Sequence, residues 1–312
     1  MASTSLDSPA AAAAARPGVR RRPLRPSVDR AALVVLTALW AIGVLLPILS
    51  LVVISVLQGR GLSFLWTVSL QPYADILVSY RIEPVLRTLR IVVVITALEF
   101  VLGFPFALWL AKGLREGWTK SILIVLLIVP FFLSPAARTI VWRPILGREG
   151  LVNILLTSTN LTAEPLDWLL FTEFAIHLGL IGPYFPSMVL PIFISVSLID
   201  DELIKASRDL GATPMQTLRT VVLPLAMPGI AAGVVFTAVP MLGDNIASTL
   251  LGGGQVSMIA EGFDDLIRAM NYPAAAALGT TLLVAFAFLA LCIRFVLKRL
   301  GTGFDIFEGM KG

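Results

Sequence analysis

One cysteine and one histidine in 312 residues leave little to build a reactive site from. Cys292 has no partner for an intrachain disulfide, and no thiolate cluster exists to hold a metal. His177 stands without a triad or a metal-ligating set around it, and a lone histidine in an apolar run reads first as a hydrogen-bonded structural group. No G-x-x-x-x-G-K-[ST] occurs, so nothing in this chain cradles nucleotide phosphates. The apolar segments hold no constellation of nucleophile, base and metal ligands, which argues against a membrane enzyme. Charge is scarce too: 14% of residues are charged against 57% hydrophobic, and the mean hydropathy of +0.89 lies outside the range of soluble globular domains.

What is present is length of apolar sequence. A membrane span needs about 20 mostly apolar residues, and six stretches qualify: 31–57, 85–111, 121–141, 170–198, 223–250 and 274–297. Backbone groups in lipid must be satisfied within the segment, so these are helices. The expected fold is all-α, a polytopic membrane protein with six transmembrane helices. Basic residues orient it. Arg16, Arg20, Arg21, Arg22, Arg25 and Arg30 precede the first span, Lys112, Arg115 and Lys120 follow the second, and Lys205, Arg208 and Arg219 follow the fourth. Lys298, Arg299 and Lys311 follow the last, while the other connections carry few cations. The positive-inside rule then puts both termini and the 200–220 loop in the cytoplasm. These arginines also account for the net charge of +4 without a nucleic-acid partner and favour anionic lipid. Residues 1–30 form a basic, low-complexity tail expected to be disordered. The first span comes next as an uncleaved anchor, because it is too long for a signal core and lacks a cleavage site. A core over 85–298 carries the 200–222 loop, and 299–312 is a short cytoplasmic tail.

That loop has the most readable local chemistry. Asp200 is placed to cap a helix whose first turn carries Asp201 and Glu202, where the helix dipole favours anions. Leu203, Ile204, Ala206, Ser207 and Leu210 recur at helical spacing and make one face small or apolar. Gly211 suits the left-handed position that closes a helix. Thr213-Pro-Met-Gln216 reads as a capping box with proline at the first helical position. Pro224 and Pro228 are expected to interrupt the chain beyond it.

Lys205-Ala-Ser, three residues, Gly211, nine residues and Val221-x-Leu223-Pro224 together resemble the EAA loop of permease subunits in ABC importers, whose pattern is EAA-x3-G-x9-I-x-L-P. The resemblance implies that the loop is a coupling helix docking into a cytoplasmic ATPase, with Asp201, Glu202, Lys205, Ala206, Ser207, Asp209, Gly211, Ala212, Thr213, Leu223 and Pro224 as its functional positions. Lys205 departs from the family, standing where the pattern has Glu and reversing a charge. Further segments are similar to the spermidine/putrescine-type branch: Leu146-Gly-Arg-Glu-Gly-Leu-Val-Asn153, Pro240-Met-Leu-Gly-Asp-Asn245 running on to Leu250-Leu-Gly-Gly-Gly254, and Asn271-Tyr-Pro273. The likeness covers roughly residues 85–297. It implies a type I importer permease fold in a bacterial plasma membrane and alternating access for a small cationic solute, polyamine first. The implied partners are two ATP-binding subunits that hold ATP and Mg, a second homologous permease and an external substrate-binding protein. This chain itself would hold no cofactor.

Polar groups at membrane depth outline a path. Glu99, Asp244 and Asn245 are expected at it, since ionisable groups in lipid face a bundle interior or a water-filled cavity, and acidic groups complement a cationic solute. Pro240 and Gly243 would open the backbone beside Asp244. The alternative for Glu99 is an ion pair with Arg138 or Arg90, and Glu173 reads equally as interfacial. Tyr184, Phe236 and Trp109 suit either path lining or packing. Two other readings stay open. One is an importer permease for another small solute, such as an amino-acid-like compound, an opine, a phosphonate or ferric iron. The other is a secondary transporter, which would need its own ion site and related halves.

Overall fold

The computed structural model describes residues 30–60, 63–77 and 79–299. The basic tail before residue 30 and the C-terminal tail after 299 lie outside the described residues. The chain divides into two units, Met1–Ile48 and Leu49–Gly312. Helix α1, Arg30–Ser55, is apolar around its circumference, and as far as Ile48 its large apolar side chains are exposed, as in a span rather than a core helix.

In the second unit, the connection after α1 is more structured than the hydropathy pattern suggests. Strands β1 (Leu57–Arg60) and β2 (Ser63–Val68) pair antiparallel, and α2 (Gln71–Leu77) comes after them. The end of α1 is tied to α2 by the hydroxyls of Ser55 and Tyr73, 2.8 Å apart. Helix α3, Ser79–Leu108, runs on through a π-helical turn, Trp109–Gly113.

The largely apolar stretch 121–141 does not form one straight helix. Helix α4 (Trp118–Ile128) ends in a 3-10 turn, Val129–Phe132, and the chain bends by 110° into α5 (Pro135–Ile140), α6 (Trp142–Leu146) and α7 (Leu151–Ser158). The cause is local. Pro130 and Pro135 each lack a backbone donor, and Ser134 starts α5 by accepting from Ala137 N at 3.1 Å. Among the described residues five helices are long and apolar enough to cross a membrane, or six if the bent pair forms one span.

Helix α8 (Glu173–Ser197) is the central element, packed against α3 and α11 (Leu223–Leu242). Gly229 allows the close approach of α8 and α11: a Cβ there would lie 2.5 Å from the Pro191 carbonyl oxygen. The expected fifth span, 223–250, stops at Leu242, where Asp244 begins a separate turn. Pro224 and Pro228 do not interrupt the chain, which is continuous from Pro214 to Leu242. A π-helical turn at Leu218–Val222 precedes Pro224 and takes up the register change. Between α8 and α11 stand α9 (Asp201–Asp209) and α10 (Pro214–Thr217). Helices α12 (Ile259–Arg268) and α13 (Tyr272–Arg299) complete the unit, sharing an apolar cluster with α2.

Candidate functional site

The α9–α10 hairpin is built almost wholly by short-range bonds. Asp200 caps α9 by accepting from Glu202 N at 3.0 Å. Gly211 has φ +83° and closes a Schellman turn: its N–H donates to Arg208 O at 2.8 Å and Ala212 N–H donates to Ser207 O at 3.1 Å. The Thr213 hydroxyl accepts from Gln216 N at 3.3 Å, while Gln216 Oε1 accepts from Thr213 N at 2.7 Å, completing the capping box. The two arms meet where the hydroxyls of Ser207 and Thr217 lie 3.0 Å apart.

A longer contact fixes the hairpin to α3. Lys112 Nζ donates to the Ile199 carbonyl and to Asp201 Oδ1, both at 2.6 Å. The hydrogen bond and charge of this ammonium hold the Asp201 carboxyl below its ordinary range, with Lys205 adding to the effect. In the sequence Lys112 reads only as an orienting charge, and a partner 89 residues away leaves no local signal. Outward from the hairpin stand Leu203, 49% exposed, and Leu210, 89% exposed, with Ala206 on the same side, whereas Ile204 and Ser207, expected on that face, turn away from it, Ile204 towards α3 and Ser207 towards Thr217. Leu223 and Pro224 belong to the start of α11, away from the hairpin tip.

The polar residues at membrane depth form a second group. Glu99 on α3 is fully buried, and neither carboxylate oxygen has a hydrogen-bond partner among the described residues. The Thr237 hydroxyl on α11 lies beside it without reaching hydrogen-bond geometry, and Thr96 Oγ1, one turn back on α3, is likewise unpartnered. The alternative ion pairs do not form. Arg90 pairs with Glu173 at 2.5 Å, joined by Arg87 at 3.3 Å, and Arg138 Nη1 donates to the Pro183 carbonyl at 2.9 Å. Glu173 thus ties α3 to the first turn of α8.

Asp244 is also buried, and both its oxygens are engaged. Oδ1 accepts from Ile246 N and Ala247 N at 2.9 Å each, and Oδ2 accepts from the Tyr184 hydroxyl at 2.9 Å. Tyr184 and Asp244 are therefore brought together across α8 and the start of the turn after α11. Asn245 points elsewhere and donates to Asp264 Oδ2 on α12 at 2.5 Å. Phe236 is 58% exposed on α11 and joins neither group. His177 Nδ1 lies 2.7 Å from the Glu173 carbonyl, a bond within one helical turn. Asn153 holds the loop after α6 by donating to Gly147 O and Leu166 O and accepting from Leu166 N at 2.7 Å. Among the described residues no group of three or more His, Cys, Asp or Glu is placed to hold a metal.

Residues 99–304 match the family described as "Binding-protein-dependent transport system inner membrane component". The chain is 33% identical over 250 residues to the spermidine/putrescine transport system permease protein PotB of Salmonella typhimurium (strain LT2), covering 80% of this chain and 86% of the relative. It is 33% identical over 230 residues to the inner membrane ABC transporter permease protein YdcU of Escherichia coli (strain K12), covering 70% and 71%. Its fold matches a chain from the bacterial alginate ABC transporter in complex with an alginate pentasaccharide-bound periplasmic protein, with a TM-score of 0.70 at 17% identity, over 87% of this chain and 94% of that one. The bent and proline-rich spans, the capped hairpin and these likenesses converge: the chain belongs to the binding-protein-dependent transport system inner membrane components, the non-catalytic permease subunits of ABC importers.

Proposed function

We propose that this chain is one of two permease subunits in an ATP-driven importer of a small polyamine-type cation, spermidine or putrescine. The solute class named for its 33%-identical PotB relative supports this choice. The observation that carries the coupling role is the α9–α10 hairpin, rigid through its own caps yet presenting Leu203, Ala206 and Leu210 outward. Apolar side chains held that openly on a short polar hairpin mark a protein partner, here an ATPase subunit that binds ATP and Mg. Both termini and the hairpin are cytoplasmic in this reading, in line with the basic residues. An external binding protein delivers the solute, and a second, homologous permease completes the path through the bilayer.

Glu99, with Tyr184, Asp244, Asn245 and Phe236, contributes the acidic and aromatic surface met by the cation as the two permeases rock. In the conformation described, Glu99 faces α8 and α11, so it meets solute only in a state where those helices part. The test is ATPase activity of the complex purified through a tag on this chain, with binding protein loaded with radiolabelled spermidine or putrescine. Stimulation by either polyamine supports the whole reading. An ATPase indifferent to both removes the solute class, and recovery of the chain without an ATPase removes the coupling role.

A further inference from the structure

A groove of about 610 Å³ lies between the end of α3 and the α9–α10 hairpin. One wall is a single face of α9: Asp201, Ile204, Lys205 and Arg208 obey the i, i+3, i+4, i+7 rule and all line it. At about 100° per residue this face points opposite to Leu203, Ala206 and Leu210, so the groove and the outward apolar face are distinct surfaces. Lys205, the position that departs from the EAA pattern, belongs to the groove.

The groove is chemically two-ended. Toward the hairpin it carries Lys112, Lys205 and Arg208 against one carboxylate, Asp201, which Lys112 already engages. Neither Lys205 nor Arg208 has an ion-pair partner among the described residues. Toward the bilayer it is lined by Pro105, Leu108 and Val222, which belong to apolar membrane-crossing helices. Pro105 and Lys112 are about 10 Å apart along the helix, and between them stands Trp109, a residue type that favours the headgroup region.

We infer that this groove binds an anionic phospholipid, its phosphate held by Lys205 and Arg208 and its glycerol and first methylenes lying along Pro105, Leu108 and Val222. Charge complementarity selects the anion, and the apolar half selects a lipid over a soluble anion. Pro105 and Leu108 lie within the candidate span Ile82–Gly113, further from the hairpin than Lys112. The inference rests on the membrane placement of α3 and α11 and, for the choice of leaflet, on the cytoplasmic hairpin proposed above.

The experiment is native mass spectrometry of the tagged complex, reconstituted with phosphatidylglycerol or phosphatidylcholine and released from detergent. The wild-type complex is expected to retain phosphatidylglycerol preferentially. Lys205→Gln with Arg208→Gln should lower that retention roughly 25-fold, at about fivefold per cation, and leave phosphatidylcholine unchanged. A paired variant, Leu203→Glu with Leu210→Glu, should lose the co-purified ATPase and keep the lipid, so failure of the docking reading is separable from failure of this one. Equal retention of the two lipids by the wild type overturns the inference. So does a double glutamine variant that loses the ATPase while its lipid retention stays the same, which would make the groove part of the ATPase contact.

Discussion

The hairpin and the membrane centre use polar chemistry in opposite ways. In α9–α10 the bonds that set shape run over two to five residues, from the Asp200 cap to the Gly211 turn and the Thr213 box, and the groups they hold are exposed. In the centre Asp244 caps its own turn locally, but its link to another helix spans the fold: Tyr184 and Asp244 are 60 residues apart in sequence, and Glu99, Thr96 and Thr237 have no side-chain hydrogen bonds at all among the described residues. A segment shaped by its own neighbours keeps its form when the body around it moves, which suits a part that transmits a push. A polar pair held by two different helices depends on their relative placement, which suits a part that changes when they slide. The same chain thus keeps a stiff handle at one place and a position-sensitive contact at another.

Removing Asp244 is the strongest way to break this contrast. Asp244→Ala would leave the Tyr184 hydroxyl and two backbone N–H groups without acceptors in a buried setting, a cost of about 3 kcal/mol or more. The purified complex should unfold at a clearly lower temperature in detergent. Tyr184→Phe, which removes one of the three donors and keeps the cap, should cost about 1 kcal/mol. If the alanine variant melts like the wild type, the long-range pair does not hold α8 to the turn after α11.

Gly211→Val tests the handle. A side chain at φ +83° costs about 1–2 kcal/mol of backbone strain, and more for a β-branched residue. No atom lies within 4 Å of a Cβ built there, so the effect is strain in the turn and not a clash. The protein should insert in the membrane normally while solute uptake is lost. Uptake at the wild-type rate would mean that the shape of this turn does not matter to coupling.

The legibility of the two regions depends on the range of their interactions. The caps at Asp200, Gly211 and Thr213 are each decided within a few residues, so composition and spacing suffice to place them. The break at Pro130–Pro135 is also local, but the high average hydropathy of residues 121–141 masks it, because hydropathy records lipid compatibility and not helix continuity. Pro224 and Pro228 mislead in the reverse direction, since a π-helical turn and neighbouring helices let the chain pass them as one helix. Lys112 with Asp201, Arg138 with the Pro183 carbonyl and Arg90 with Glu173 are choices among many possible partners, and only the fold makes them. An ion pair from Glu99 to Arg138 or Arg90 is therefore an open alternative in the sequence, and the fold closes it by giving both arginines other partners.

Glu99→Gln sharpens the contrast from the membrane side. The carboxylate has no hydrogen-bond partner among the described residues to lose, so stability should stay within about 1 kcal/mol of the wild type, the size of a single net hydrogen bond. Uptake of a polyamine should fall severalfold if this group meets the cation when α3, α8 and α11 part. Unchanged uptake with unchanged stability would remove Glu99 from the path and leave it a packed polar group.

The smallest effect probes how far the hairpin's rigidity depends on the one contact between its arms. Ser207→Ala removes the hydroxyl that faces Thr217, and Thr217 is buried, so its own hydroxyl loses a partner that water replaces poorly. The expected cost is about 1 kcal/mol, near that of losing a single helix cap, seen as faster amide hydrogen exchange in α9 with no change in the membrane helices. Because the Schellman turn and the capping box act independently of this bond, the hairpin should stay formed and uptake should fall only modestly. A loss of uptake as complete as that expected of Gly211→Val would mean that the angle between the arms, and not the shape of either arm, carries the push to the spans.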